Sequence, residues 1–414
     1  MTSRFELDGK KVSLLGYGAM RLPTADGGNA NLLPVDPTKK EIDQAHLNRQ
    51  VRYLLEHGVT YFDTAPIYCR GKSEGCLGEA LSSSGFARGE YVIATKLSNF
   101  SPTQWSLDAC RSMFENSLRE LRTDYIDSYL LHSIGMGGFS VFEKRYLKNG
   151  ALDWLLDLRT KRRIRNLGFS FHGDQKVFDW CLAQHGRYRW DFCQIQLNYI
   201  DWRHASEVNG RNVNAEYLYG ELTKLKIPVV VMEPLLGGRL ARYNWSLAHE
   251  FAALDPEATL AKWAMRFCGS PDNVMTVLSG MTFDAHIEEN VETFSPLVKC
   301  TAKELAAFDR AADAYLSANT IPCTGCAYCM PCPYGLDIPA IFSFRNTYLA
   351  KKGGRRPKEL LKLYAKAIPE ELRRADHCTG CGRCVAHCPQ QIDISKELAA
   401  VDATIDVIRQ EAAK

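Results

Sequence analysis

Eight cysteines in the last quarter of the 414-residue chain have the clearest capacity for chemistry. The segment "CTGCAYCMPCP" (323–333) has a cysteine at every third position, and "CTGCGRCVAHCP" (378–389) repeats the pattern with one more residue before its last cysteine. Zinc prefers two C-x2-C pairs from separate places, whereas these runs are compact enough to wrap one face of an iron–sulfur cubane. The spacing favours two clusters, with zinc and disulfides as alternatives, and the candidate ligands are Cys323, Cys326, Cys329, Cys332, Cys378, Cys381, Cys384 and Cys388.

A second set of reactive residues lies in the first third of the chain. Asp63, Lys96 and His132 end predicted strands, and Tyr68 follows the first of these. A tyrosine phenol, with an unperturbed pKa of about 10, exchanges protons poorly at neutral pH unless a cation stabilises its phenolate. Lys96 can supply that cation, Asp63 can hold the lysine, and His132 can donate a hydrogen bond to a carbonyl oxygen. The four residues together predict proton transfer to a substrate oxygen.

These residues belong to a regular alternation of strands and helices. From residue 12 to 300, apolar runs such as "VTYFD", "YVIATK", "YIDSYLLH" and "IPVVVMEP" alternate with segments of helical period, giving eight strand–helix units. Such an alternation predicts a parallel sheet covered by helices, and eight units fit a closed (β/α)8 barrel. An open doubly wound sheet is the alternative, but no G-x-G-x-x-G follows the first strand. In a barrel, the carboxyl ends of the strands carry catalytic residues.

Composition excludes several classes of partner. The 51 Lys and Arg residues nearly balance the 48 Asp and Glu residues, so the charge gives no reason to expect nucleic acid or an anionic membrane. We find no apolar run of about 18 residues and no signal peptide at the start, and therefore expect a cytoplasmic protein. In a reducing compartment, cysteine-rich motifs favour metal or redox chemistry.

The first two-thirds of the sequence resembles the aldo-keto reductase superfamily. The matching segments are "YFDTAPIY", "SEGCLGEAL", "VIATK", "DSYLLH", "GFSFH", "QIQLNYID", "VVVMEPLLGG" and "IEENV", in family order. The resemblance implies that Asp63, Tyr68, Lys96 and His132 form the catalytic tetrad, with Tyr68 as general acid/base. It further implies that NAD(H) or NADP(H) binds to the barrel, and the residues implied as its contacts are Ser170 and Gln196 for the carboxamide, Leu235 and Gly237 for the pyrophosphate, and Glu289 and Asn290 for the adenine.

Several positions depart from the family pattern. Phe171 stands where an asparagine usually follows the serine of "GFSFH", and Met232 replaces an aromatic residue that stacks on the nicotinamide. Gly280, Met281 and His286 stand where a Lys-Ser pair and an Arg usually hold the 2′-phosphate of NADP. A phosphate is best held by charge-assisted, bidentate donors. We therefore do not expect a strong preference for NADP.

The cysteine motifs resemble the bacterial two-[4Fe–4S] ferredoxin pattern, C-x2-C-x2-C-x3-C-P, in which the fourth cysteine of each motif ligates the other cluster. The second motif matches this spacing, and the first is one residue short before Cys332. The resemblance implies one ligand set of Cys323, Cys326, Cys329 and Cys388, and another of Cys378, Cys381, Cys384 and Cys332. Helical segments between the motifs indicate a mainly α-helical dicluster domain, as attached to a subgroup of aldo-keto reductases.

The predicted organisation is a barrel at 1–300, a linker helix at 301–320 and a ferredoxin-like domain at 321–414. A nicotinamide carries two electrons as hydride, whereas each cluster carries one, so three functions remain open. The barrel reduces a carbonyl or oxidises an alcohol beside structural or sensing clusters, the clusters exchange electrons with a ferredoxin or another subunit, or the barrel is a non-catalytic scaffold for an electron-transfer protein. Linking the two carriers would need a flavin, for which the sequence has no signature.

Substrate contacts are expected from the loops above the barrel, at 21–40, 133–149 and 199–214. Arg70, Lys72 and Arg203 are candidates for contacting a polar or anionic substrate, with ordinary surface charge as the alternative. The basic segment "KKGGRRPK" (351–358) is expected to be a solvated loop, or else a docking site for an acidic electron carrier.

Overall fold

A computed structural model describes residues 1–28, 41–210, 212–241, 245–317, 320–349, 355–369 and 374–413. Within these residues, eight parallel strands close into a barrel in the order β10-β3-β4-β5-β6-β7-β8-β9. An antiparallel hairpin, β1 (Ser3–Leu7) and β2 (Lys10–Ser13), precedes them. The barrel strands are β3 (Leu15–Gly18), β4 (Tyr61–Asp63), β5 (Val92–Leu97), β6 (Ile126–Ile134), β7 (Ile164–Phe171), β8 (Phe192–Gln196), β9 (Val229–Met232) and β10 (Val274–Ser279). The predicted (β/α)8 barrel is confirmed.

Helices cover the outside of the barrel. Several begin at a side chain that accepts a hydrogen bond from the first turn, including Asp43, Ser106 and Thr259. The helices of this region are α1 (Gln44–Glu56), α2 (Ser73–Ser82), α3 (Leu107–Glu120), α4 (Gly138–Phe142), α5 (Ala151–Thr160), α6 (Gln175–Ala183), α7 (His185–Tyr188), α8 (Asp201–Val208), α9 (Ala215–Lys224), α10 (Trp245–Ala252), α11 (Leu260–Gly269), α12 (Asp284–Thr293) and α13 (Ala302–Leu316).

The amino-terminal hairpin closes the lower end of the barrel. Leu7 and Val12 of the hairpin are buried in one apolar cluster with inward-facing residues of the barrel strands. The sequence run "KVSLLGYG" is therefore not one strand, because Lys10–Ser13 pairs in the hairpin and only Leu15–Gly18 enters the barrel. Since this end is filled with apolar side chains, the opposite, carboxyl end is the one that can admit a ligand.

Helix α13, the predicted linker helix, packs against the barrel. Phe308 lies on its buried face, with its ring centroid 4.9 Å from that of Phe267 and 5.2 Å from that of Tyr199. Ala307 and Ala311 are fully buried in the same core. The helix thus contributes to the barrel core instead of bridging two separate bodies.

The region after α13 is helical, as the sequence predicts. It contains α14 (Ile338–Phe344), α15 (Pro357–Ala367) and α16 (Ile394–Ala413), together with short 3-10 turns beside the cysteines. Apolar residues of these helices, such as Phe342, Tyr364 and Leu398, form a core of their own. Within the described residues, no helix is both long and apolar enough to cross a membrane. Part of the basic segment at 351–358 and part of the loop at 21–40 lie outside the described residues.

Candidate active site

Asp63 and Lys96 form a buried ion pair at the carboxyl end of the barrel. Lys96 Nζ donates to Asp63 Oδ1 at 2.6 Å and to the carbonyl oxygen of Thr64 at 2.7 Å. Both side chains face inward because each lies two residues beyond an inward-facing residue of its strand. Burial lowers the pKa of Lys96 and raises the pKa of Asp63, and the attraction between the two charges opposes both shifts. The pair is thus a fixed element of the site.

Tyr68 lies on the 3-10 turn after β4 (Tyr68–Gly71), beside this ion pair. Lys96 Nζ is 4.8 Å from the centre of the Tyr68 ring. Burial raises the pKa of Tyr68 well above 10, and Tyr328 and Asp63 raise it further. Lys96 does not reverse this shift. The Tyr68 phenol is therefore protonated at neutral pH and can act as a proton donor.

His132 is the third group around Tyr68. Its ring centroid is 6.0 Å from that of Tyr68, and its Nδ1 is 2.6 Å from Ser98 Oγ. The other ring nitrogen is therefore the one available to a ligand. Burial lowers the pKa of His132 well below 6.5, and the cations Lys96 and Arg145 lower it further. The imidazole is neutral at physiological pH, so it is better suited to donate a hydrogen bond than to act as a general acid.

A cavity of about 630 Å³ opens in front of the four residues. Ser170, Leu235, Gly237, Glu289 and Asn290, five of the six residues expected to contact a nucleotide, lie in its wall. Such a volume is in the range of known ligand sites.

The structure does not bring Gln196 into this cavity. Its Oε1 is 2.9 Å from Nδ1 of His172, a residue of the cavity wall, and Gln196 itself lines a small neighbouring pocket. Gln194 lies in the cavity wall in its place, and its buried Oε1 has no hydrogen-bond partner among the described residues. The sequence "QIQ" offers both glutamines, and only the structure distinguishes which one meets the cavity.

The departures from the family pattern have structural counterparts. Phe171 points away from the cavity and packs against Phe178, with ring centroids 5.1 Å apart. The next residue, His172, lies in the cavity wall, and burial lowers its pKa to about 4 despite its hydrogen bond with Gln196. Met232, Gly280 and His286 also line the cavity, whereas Met281 is buried.

The first cysteine motif forms part of the same cavity wall. Thr324, Cys326 and Tyr328 line the cavity that contains Tyr68. The Tyr68 and Tyr328 phenols interact, and Tyr328 raises the pKa of Tyr68. Arg21 Nη2 donates to the carbonyl oxygen of Thr324 at 2.8 Å, which fastens the motif to the barrel. Sequence analysis missed Tyr328, whose only signal is an aromatic residue between the second and third cysteines.

The eight cysteines fall into two groups. Cys388 acts electrostatically on Cys323, Cys326 and Cys329, although 59 or more residues separate it from them in the sequence. Burial raises the pKa of the Cys323 thiol to about 11 and that of Cys326 to about 12, and the neighbouring thiols add to both shifts. Such buried, mutually repelling thiols are sites where a bound cation would stabilise the thiolates.

The second group contains the remaining four cysteines. Cys384 interacts electrostatically with Cys332, Cys378 and Cys381. Cys384 also acts electrostatically on Cys329, so the two groups adjoin, and the assignment of cysteines to clusters stays an expectation from the ferredoxin pattern. Within the described residues, no three His, Cys, Asp or Glu side chains are arranged to hold a single metal ion. A cubane needs no such convergence, because each of its four irons takes one thiolate.

The three candidate substrate contacts lie in different places. Arg70 lines a second cavity next to Tyr328. Lys72 is exposed, and Arg203 forms surface ion pairs with Glu216 and Asp309. Only Arg70 is therefore positioned beside the site.

The sequence profile of the Aldo/keto reductase family matches residues 14–313. The chain belongs to the aldo/keto reductase family. A profile described as "4Fe-4S dicluster domain" matches residues 322–393. In this aldo/keto reductase, the match to a dicluster domain follows the barrel in the sequence. The two matches together support an oxidoreductase that uses iron and sulfur.

Known relatives match the barrel part of this aldo/keto reductase. L-galactose dehydrogenase of Arabidopsis thaliana is 25% identical over 306 residues, which cover 70% of this chain and 86% of that protein. An aldo-keto reductase of Mycolicibacterium vanbaalenii is 27% identical, with 70% and 92% covered. The holo form of an aldo-keto reductase from Bacillus halodurans superimposes with a TM-score of 0.56 at 23% identity, over 75% of this chain and 97% of that one. These likenesses support the barrel fold and do not identify a substrate.

Proposed function

We propose that the protein reduces a carbonyl compound, or oxidises the corresponding alcohol, with NAD(H) or NADP(H), and that two [4Fe–4S] clusters serve it in electron transfer. One observation carries the proposal. The Asp63–Lys96 pair, Tyr68 and His132 meet in a cavity whose wall also contains Cys326 of the first cysteine motif. A non-catalytic scaffold has no need of this arrangement.

The proton chemistry follows from the side chains. The protonated Tyr68 phenol donates to the carbonyl oxygen of the substrate in the reductive direction, and accepts the alcohol proton in the reverse direction. Neutral His132 donates a second hydrogen bond to the same oxygen, as charge develops on it. The Asp63–Lys96 pair holds the lysine cation within 5 Å of the Tyr68 ring, where it stabilises the phenolate left after proton donation.

The residues along the cavity fit a nicotinamide nucleotide, which would supply or take the hydride. The unpartnered Oε1 of Gln194 can accept a hydrogen bond from the carboxamide, in the role expected of Gln196. Ser170 stands nearby, and Leu235 with Gly237 border the region proposed for the pyrophosphate. Glu289 and Asn290 remain the proposed adenine contacts. A relative from Klebsiella pneumoniae has been solved with NADPH, whereas Gly280 and His286 offer no bidentate cation for a 2′-phosphate here.

The cysteines would hold the clusters in two unlike settings. Cys323, Cys326, Cys329 and Cys388 would ligate the cluster that borders the barrel cavity, and the second set would be Cys332, Cys378, Cys381 and Cys384. Cys381 is exposed, whereas Cys326 lies in the cavity wall. A ligand set at the surface and another at the active site are the arrangement expected of a domain that exchanges electrons with a separate redox protein, such as a ferredoxin.

The decisive variant is Tyr68→Phe in anaerobically purified protein. We expect the iron and sulfide content and the binding of NADH or NADPH to stay at the wild-type level, while carbonyl turnover falls by at least 100-fold, on the order of general acid catalysis. Tyr217→Phe, the same change at an exposed tyrosine that lines neither cavity, is the matched control and should keep most turnover. Unchanged turnover in Tyr68→Phe would refute the assigned acid, and failure of the wild type to bind either nucleotide would favour the scaffold alternative.

A further inference from the structure

A second cavity, of about 450 Å³, adjoins the first. Cys326 and Tyr328 line both cavities. Its other walls come from the barrel loops and from the dicluster domain, and most of them are apolar or aromatic: Ile67, Phe100, Trp105, Met136, Val141 and Met330. The two cavities thus meet at the tyrosine that contacts Tyr68.

Arg145 places a buried positive charge in this mostly apolar cavity, which Arg70 and His387 also line. Its side chain is 2% exposed, and it lies in the cavity wall. The guanidinium donates to the carbonyl oxygen of His132 at 2.7 Å, to Tyr146 Oη at 2.7 Å and to Asn99 Oδ1 at 3.2 Å, with a longer contact of 3.4 Å to the carbonyl oxygen of Ser133. All of these acceptors are neutral.

No carboxylate among the described residues forms an ion pair with Arg145. The groups that act electrostatically on it are the Tyr146 phenol and the Cys110 thiol. A buried cation without a counterion is costly, and native proteins nearly always pair it. A guanidinium that is held in place by neutral acceptors and lines a cavity is therefore suited to receive an anion from a ligand.

We propose that the second cavity binds the carboxylate of the substrate, so that the protein acts on carbonyl compounds that carry a carboxylate on an apolar, flat body. The claim that the bound compound is reduced or oxidised rests on the proposed function. The claim that the cavity binds a carboxylate does not. Arg145 donates a hydrogen bond to the backbone carbonyl oxygen of His132, so the proposed anion site adjoins a residue of the tetrad. Phe100 lies between them, 5.0 Å from the His132 ring and 4.8 Å from the guanidinium, and offers a face to a flat substrate. Arg70 lines the outer part of the same cavity.

Binding is tested without turnover by calorimetric titration of the cluster-loaded protein with benzoate and with benzamide, its neutral isostere. We expect benzoate to bind at least about tenfold more tightly, the effect of one hydrogen bond to a charged group. Arg145→Gln should remove that difference, and Arg203→Gln, a surface arginine outside both cavities, should leave it unchanged. Equal affinity for both compounds in the wild type, or an undiminished preference in Arg145→Gln, overturns the proposal.

Two further measurements keep the proposal testable if Arg145→Gln fails to fold. They also distinguish failure of this inference from failure of the proposed function. Met136→Trp fills the cavity from its barrel-loop wall and should abolish benzoate binding while nucleotide binding persists; retained benzoate binding would contradict the site. For turnover, kcat/KM for 4-carboxybenzaldehyde should exceed that for benzaldehyde by about tenfold or more in the wild type. If neither aldehyde turns over but benzoate binding depends on Arg145, the anion site stands and the proposed reaction fails. If both turn over equally, the reaction stands and the inference about substrates fails.

Discussion

Replacing Gly237 by alanine should loosen the contact between the first cysteine motif and the barrel. The backbone of Gly237 has a φ of +67°, and a Cβ added there would lie 2.1 Å from the carbonyl oxygen and 2.5 Å from the Cα of Thr324. Both obstacles are backbone atoms, so no side-chain rotation can relieve the clash. The motif must move away from the cavity by about 1 Å, because carbon and oxygen atoms in contact stay at least about 3 Å apart.

The neighbouring Gly238 provides a matched control. It has a φ of +87°, and nothing lies within 4 Å of a Cβ added there. Alanine at either position costs about 1–2 kcal/mol for its left-handed backbone conformation. Only Gly237→Ala adds the clash, for which overpacking of buried sites gives about 1–3 kcal/mol. The difference between the variants therefore isolates the contact with Thr324.

Hydrogen exchange is the appropriate assay, because it reports the opening of one region even where a chain with two separate apolar cores does not unfold in two states. The amides around Thr324 and Tyr328 should exchange about 5- to 150-fold faster in Gly237→Ala than in Gly238→Ala, the equivalent of that 1–3 kcal/mol. Amides in the hairpin at the other end of the barrel serve as an internal reference and should not differ. Equal exchange around Thr324 in the two variants would show that the motif does not rest on this loop.

Two further predictions concern the core and the clusters. Burial raises the pKa of Glu74 to about 7, so between pH 4.5 and 7 the folded protein holds a proton that the unfolded chain releases, and stability falls by about 3 kcal/mol as the pH rises through this window. Glu74→Gln should remove this loss from the pH dependence of the opening free energy that hydrogen exchange measures in α2, whereas the exposed Glu56→Gln should not, and the same pH dependence in both variants would contradict the raised pKa of Glu74. Cys388→Ser should alter the same EPR signal as Cys329→Ser, and Cys332→Ser the other signal; pairing of Cys332 with Cys329 would refute the proposed ligand sets.

The barrel could be predicted because its strands are continuous apolar runs between helices of clear period. The same patterns located Asp63, Lys96 and His132, since the end of a buried strand is visible in the sequence and the strands of a barrel end on one face. The hairpin was missed because "KVSLLGYG" is apolar throughout, so nothing in it marks the change of partner after Ser13. Periodicity also could not separate Gln194 from Gln196, because they are two residues apart on one strand.

The position of the dicluster domain was beyond any local pattern. Its contacts with the barrel join residues far apart in the sequence, such as Arg21 with Thr324 and Asn209 with Gln390. None of these residues has a type or spacing that signals its partner. The role of Tyr328, the tyrosine of "CAYC", can be recognised only when the structure shows that it lines the same cavity as Tyr68.

That placement bears on why the proposed hydride chemistry would lie beside the proposed clusters, which carry single electrons. The segment from Thr324 to Tyr328 contributes a proposed cluster ligand, Cys326, and a wall of both cavities. Any ligand that fills either cavity therefore touches the segment that would hold the cluster, and any change of the cluster's charge would act on the buried Tyr68 phenol. Because fields are weakly screened in such a site, the redox state of the cluster would alter proton donation by Tyr68 even if no electron reached the substrate. Substrate choice and redox response would then depend on the same few residues. Exchanging Tyr328 for phenylalanine, which keeps the wall but removes the phenol that raises the pKa of Tyr68, would separate them.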